Sequence, residues 1–145
     1  MKLKNDEVGI FAIGGLGEIG RNMYCVQYQD EIIIMDCGIK FPEDGEMGIN
    51  YIISDYSYLI KNREKIKALV VTHGHEDHIG GIPFLLKKIP EIPVYATPFA
   101  LALIRGKLDE HGILKNSVLH EEYEDTVLQF SKLSVTFFRT THSIP

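Results

Sequence analysis

The segment Thr72-His73-Gly74-His75-Glu76-Asp77-His78 constrains this chain more than any other part of it. Three imidazoles and an aspartate fall within six residues, directly after the apolar run Lys67-Ala68-Leu69-Val70-Val71. A short apolar run bounded by polar residues reads as a buried strand. In extended chain, residues two apart project to the same side, so His73 and His75 can face one cation. Gly74 lets the backbone bend between them. Asp77 and His78 fall where the chain turns into a helical pattern, and there they can face a second cation. Imidazole with carboxylate suits zinc and similar first-row divalent ions. A single loop histidine reads as solvated, but this density at a strand-to-helix junction reads as a metal site.

The rest of the chain supplies a frame for that junction. Its 145 residues are enough for one domain with a sizeable core, and no repeat, low-complexity tract or linker divides them. Residues 8–13, 23–28 and 32–36 read as strands, the last two joined at 29–31 as a hairpin. A loop rich in glycine, proline and acids covers 38–50, and a short helix is expected within 54–62. After the strand at 67–72, residues 79–88 carry a helical pattern with Pro83 in the first turn. A strand at 93–96 precedes the best helix, 98–110, which Pro98 opens and His111-Gly112 stops. Three short strands follow at 118–121, 126–130 and 133–138. Adjacent strands open and close the segment, so the order is neither a regular βαβ repeat nor an all-β sandwich. The last residues, Thr141-His142-Ser143-Ile144-Pro145, carry no cap or polar tail, as expected of a chain cut within a longer domain. Such an end would leave a sheet edge exposed.

HxHxDH resembles the signature of the metallo-β-lactamase superfamily, whose fold is an αββα sandwich of mixed sheets flanked by helices, with metals at one edge. Asp36, ending the run Ile32-Ile33-Ile34-Met35-Asp36, resembles the family's first motif, and His142 its third. GGLGEIGRN, GIKFPED, THGHEDHIGGIPFLL and FFRTTHSIP together are similar to the bacterial ribonuclease J group, in the β-CASP branch of that superfamily. The resemblance implies that residues 1–145 are the first half of such a domain, without the β-CASP insertion or a C-terminal domain. It implies His73, His75 and His142 on one cation, and Asp77 with His78 on a second that shares a missing aspartate. Asp77 is also the nearest candidate to handle the proton of the attacking water, and Asp36 would fix backbone or a histidine tautomer. Zinc, two per intact site, or manganese would be the cofactor. The implied activity is 5′-to-3′ exonucleolytic and endonucleolytic cleavage of RNA by a water that two cations activate. The whole protein would be cytoplasmic, homo- or hetero-oligomeric and not membrane-bound. These residues alone are expected to bind one cation better than two and to be a poor catalyst.

Other signals weigh less. A net charge of −5 argues against a nucleic-acid site built from surface lysines, though not against one built on bound cations. No run approaches the ~20 apolar residues of a membrane span. Cys25 and Cys37 sit in strand-like surroundings and read as buried thiols. Gly15-Leu16-Gly17-Glu18-Ile19-Gly20 fits a dinucleotide fingerprint, but a helix must begin within that motif, and the residues that follow read as a hairpin. The glycines therefore read as a tight loop beside the metal site. Glu43, Asp44, Glu46 and Asn50 lack EF-hand spacing and read as a solvated loop. His111 and His120 read as surface or cap residues without partners. Arg105, Lys107 and Lys115 read as solvated charge, and Tyr51, Tyr56 and Tyr58 as packing groups. HxHxDH by itself leaves open a hydrolase of thioesters, lactams or lactones, a non-catalytic metal-binding partner subunit, and a redox di-iron protein.

Overall fold

A computed structural model describes residues 3–144. Six strands form one sheet in chain order: β1 (Val8–Gly14), β2 (Met23–Tyr28), β3 (Glu31–Met35), β4 (Ile66–Val70), β5 (Pro93–Ala96) and β6 (Val118–Glu121). The first three pair antiparallel, and β3 to β6 run parallel. The β2–β3 turn is tight because Gln29 takes a left-handed φ of 51°. Parallel neighbours need long crossovers, and helices supply them. These are α1 (Ser57–Lys61), α2 (Glu76–Ile79), α3 (Ile82–Lys88) and α4 (Pro98–Glu110).

One face of the sheet packs against the helices. Ile32, Ile34, Leu69 and Val94 meet Leu59, Ile82, Leu85, Leu101 and Ile104 in the main core. The other face, at Ile33, Ala68 and Val70, is covered by Leu128, Phe130, Leu133, Val135 and Phe137. Those residues belong to or flank a hairpin of β7 (Val127–Gln129) and β8 (Ser134–Thr136). Burial on both faces explains why β3 and β4 read as unbroken apolar runs rather than alternating ones. Helices, a mixed sheet and a small second sheet make three of the four layers of the αββα sandwich. Among the described residues no helix is long and apolar enough to cross a membrane.

Several boundaries differ from expectation. The helix read at 79–88 is two helices, α2 starting earlier at Glu76 and α3 at Ile82, with Pro83 in the first turn of the latter as expected. The break falls at Gly80-Gly81, where added Cβ atoms would lie 2.7 Å from the Glu76 carbonyl and 2.8 Å from the Gly38 carbonyl. The helix read within 54–62 is only Ser57–Lys61, led in by Asp55, whose Oδ1 accepts from the Ser57 amide and hydroxyl. A 3-10 turn at Arg63–Lys65 follows it. The last two strands shrink to three residues each. Cys25 and Cys37 are free and buried as expected, and burial pushes both thiols up to about 12.

One polar residue in the first hairpin ties the two sheets together. Glu31 is 2% exposed, and its carboxylate accepts the amides of Ser131, Lys132 and Leu133 at 3.0, 2.9 and 3.0 Å. Lys132 also pairs with Asp30. Removing the acceptor deprives three backbone donors in the turn between β7 and β8 of their charged partner. Glu31→Ala is expected to lower unfolding free energy by about 3 kcal/mol, and Glu31→Gln by less, because its amide oxygen still accepts. Equilibrium urea denaturation of the two variants checks the order and the size.

Candidate metal centre

Parallel pairing of β3 with β4 brings both carboxyl ends to one edge of the sheet, and the chemistry collects there. Asp36 extends the ladder by one bond, its amide donating to the Val70 carbonyl at 2.9 Å. It then turns with a left-handed φ of 61°, which sends its carboxylate, 3% exposed, into the edge. Oδ1 accepts the Thr72 amide at 2.8 Å. Oδ2 accepts the Thr72 hydroxyl at 2.8 Å and lies 2.7 Å from His78 Nδ1.

These bonds assign the imidazoles. A carboxylate only accepts, so His78 carries its proton on Nδ1 and turns the Nε2 lone pair outward. The Thr72 hydroxyl has one proton, already given to Asp36, so at 2.9 Å it accepts from His73 Nδ1. His73 therefore also presents a free Nε2. Burial first, then the neighbouring charge of His78, holds the His73 pKa below its ordinary value; Asp36 opposes this, and His142 and His75 add to it. For His78, burial disfavours the charge, but the Asp36 hydrogen bond and the charges of Asp36 and Asp77 outweigh it and hold its pKa above the usual value.

His73, His75 and His142 converge. His73 Nε2 lies 3.0 Å from His75 Nδ1, and the His142 ring stands 4.6 Å and 4.8 Å from the rings of His73 and His75. One nitrogen from each of the three lies within 4.8 Å of the other two. Ligand nitrogens sit ~2.0–2.1 Å from zinc, so a small inward adjustment would let all three share one ion. Three imidazoles with no carboxylate among them, one whose surroundings disfavour its charged form, suit a borderline-soft divalent cation. The donor set fits. Asp77 and His78 lie beside this cluster, with His78 Nε2 3.6 Å from Asp77 Oδ2 and the His73 and His78 rings 4.1 Å apart. The expected residues thus gather as two adjoining groups, with Asp36 behind them.

Backbone interlocking holds the groups in place. The Asn22 amide donates to the Asp77 carbonyl, Gly38 to Asn22, Cys37 to His78 and Gly81 to Cys37, all at 2.8 to 3.0 Å. Any Cβ on Gly38 would overlap the Asp77 carbonyl. On the far side α4 supports the turn: a Cβ at Gly74 would come within 2.6 Å of the Leu103 side chain, and Lys107 pairs with Glu76. Lys107 is therefore paired rather than simply solvated. A cleft of about 1130 Å³ opens beside His73 and His142, lined by Thr97, Phe99, Phe137, Arg139 and others.

The weaker signals resolve variously. Gly15, Gly17 and Gly20 all take positive φ, no helix begins among them, and the loop does lie beside the candidate site. Glu43 pairs with Lys40, and its backbone amide donates to the Glu46 carboxylate. Tyr56 is buried, and Tyr58 packs edge-on to Phe11. His111 and His120 do have partners: His111 meets Lys87 and Phe84, and His120 stacks on Tyr95 at 4.7 Å. Sequence reasoning missed Thr72 and Asn22. Thr72 adjoins the motif and could have been found; Asn22 is marked only by following the glycine loop.

A sequence model of the Metallo-beta-lactamase superfamily matches residues 16–142. The chain belongs to the metallo-beta-lactamase superfamily. Divalent metal binding comes with that membership. The chain is 64% identical to Ribonuclease J 1 of Streptococcus pyogenes over 145 residues, covering 100% of this chain and 26% of that protein. It is 44% identical to Ribonuclease J2 of Bacillus subtilis over 146 aligned positions, again 100% of this chain and 26% of the relative. The chain thus spans about a quarter of the length of these curated relatives. Among solved structures, a diphosphatase of the PhnP family superposes with a TM-score of 0.56 at 18% identity, covering 90% of this chain and 56% of that one. At that identity the likeness speaks for the fold alone.

Proposed function

We propose that this chain is the metal-binding start of a ribonuclease J-type enzyme, a metal-dependent hydrolase of RNA. The observation that carries this is the 64% identity across all 145 residues to Ribonuclease J 1, together with the convergence of His73, His75 and His142. Residues 1–145 would form the N-terminal portion of the metallo-β-lactamase domain, with a β-CASP insertion and a C-terminal domain elsewhere in the longer protein. RNA is then the substrate, the cytoplasm its place, and a homo- or hetero-oligomer its working form.

Two divalent cations, zinc or manganese, would supply a nucleophilic water near neutral pH and neutralise charge on the phosphodiester. His73, His75 and His142 would hold the first of them, and Asp77 with His78 the second. Asp36 keeps Nδ1 of His78 protonated, and through Thr72 does the same for His73, so both rings offer Nε2. Asp77 is 39% exposed at its side chain and so can also take the proton of the attacking water. Arg139 in the adjoining cleft is a cation available to a phosphate of the bound strand.

The full-length protein, stripped of metal and resupplied with zinc or manganese, is expected to degrade RNA. Asp77→Asn should lower that rate by at least about 100-fold while leaving the fold intact. Hydrolysis of a lactam or thioester in place of RNA would transfer the assignment to another branch of the superfamily. An Asp77→Asn protein that cleaves RNA at the parent rate would remove Asp77 from the site.

A further inference from the structure

The glycine-rich loop between β1 and β2 is conspicuous in the sequence, and neither the metal ligands nor the core accounts for it. Its geometry is fixed locally. Glu18 accepts the Gly15 amide at 3.2 Å and the Arg21 guanidinium at 3.0 and 2.7 Å, and Arg21 turns with a φ of 51°. The residue this delivers to the metal edge is Asn22. Its backbone is clamped on both sides, donating to the Asp77 carbonyl at 3.0 Å and accepting from the Gly38 amide at 3.0 Å.

The side chain continues in the same direction. Asn22 Nδ2 lies 3.0 Å from Asp77 Oδ2, 3.1 Å from the Asp77 carbonyl and 3.2 Å from His78 Nε2. It thus faces both members of the second ligand group, and no hydrogen bond links it to His73, His75 or His142. Gly15 makes the room: at φ 87°, a Cβ there would come within 2.9 Å of Asn22 Oδ1 and 3.0 Å of the Tyr24 hydroxyl. The first glycine of the loop is therefore what lets the amide lie where it does.

We infer that Asn22 is a positioning residue for the second cation, orienting the Asp77 carboxylate through its amide N–H, and that Gly15 clears the space for it. The inference rests on the metal reading given above. An amide suits the task chemically. It donates without carrying charge, so it holds one carboxylate oxygen of Asp77 without neutralising it and leaves the other oxygen to the ion. A cation held by His78 Nε2 would take the lone pair that the amide now faces, leaving Asp77 Oδ2 as the amide's side-chain partner. Outer hydrogen bonds of this kind commonly set ligand affinity by roughly 10- to 100-fold.

The test is a calorimetric titration of the metal-stripped full-length protein with Mn²⁺ or Zn²⁺, beside its Asn22→Ala variant. The backbone bonds of Asn22 persist in the variant, so its unfolding temperature should stay within a few degrees of the parent. The expected result is a second binding event weakened about 10- to 100-fold, with the first unchanged. Two events with parental affinities would overturn the inference. So would joint loss of both events with a lowered unfolding temperature, because that would make Asn22 a keystone of the fold. A parent protein that takes up no cation would instead sink the metal reading itself, and the role of Asn22 with it.

Discussion

Asp36→Ala is expected to destabilise the metal-free protein by about 3–5 kcal/mol at pH 6, and by less at pH 8. The carboxylate is buried and accepts three hydrogen bonds, from the Thr72 amide, the Thr72 hydroxyl and His78 Nδ1. Truncation leaves all three donors without a partner, and below the His78 pKa it also leaves a half-buried imidazolium without its counter-ion. The pH dependence follows from the raised pKa of His78, where burial works against the charge and Asp36, then Asp77, prevails over it. A base held above its unfolded value contributes stability that is full below about pH 6.5 and fades as pH rises through the folded value. The gap between parent and variant should therefore narrow from pH 6 to pH 8. Asp36→Asn keeps the shape and one acceptor oxygen, so it should recover part of the loss. Urea denaturation at the two pH values decides the matter. A gap below about 1 kcal/mol at pH 6 would mean that the carboxylate is not the tie between β3, β4 and α2 that its contacts describe.

What the sequence revealed and what it hid follow from the range of the forces involved. β3 and β4 were legible because burial on both faces leaves an apolar run that needs no knowledge of the rest of the molecule. The histidine motif was legible because its ligands are neighbours in the chain, and Asp36 and His142 because a family resemblance supplied them. The break between α2 and α3 was not, since a helical pattern tolerates Gly80-Gly81. The Cys37 carbonyl, some forty residues away, draws off the Gly81 amide and parts the chain there. Glu31 read as part of a polar turn, and its three bonds reach residues about a hundred positions later. Asn22 was hidden for the same reason. Each of the two is an ordinary polar residue whose meaning lies in what folds against it, and periodicity carries no record of that.

The double substitution His73→Ala/His75→Ala is expected to abolish binding at the first cation site, an effect well beyond the ~100-fold typical of losing a supporting contact. Both nitrogens of the close pair go, leaving His142 alone on a chain segment that carries no other candidate ligand in the cluster. The fold should tolerate the change, because neither imidazole belongs to the hydrophobic core. The metal-free variant should therefore be about as stable as the metal-free parent. The two should separate only when metal is added, since an ion that binds only the folded state stabilises it by about 2.7 kcal/mol at a hundred times its Kd. Elemental analysis beside thermal melts with and without zinc or manganese reads both quantities. Because ligand nitrogens must be unprotonated, uptake by the parent should strengthen as pH rises from 6 to 8, most at the second group, where His78 holds its proton above the usual range. A variant that keeps its metal and its metal-dependent melting shift would move the first site away from His73 and His75, and with it the chemistry assigned to this edge of the sheet.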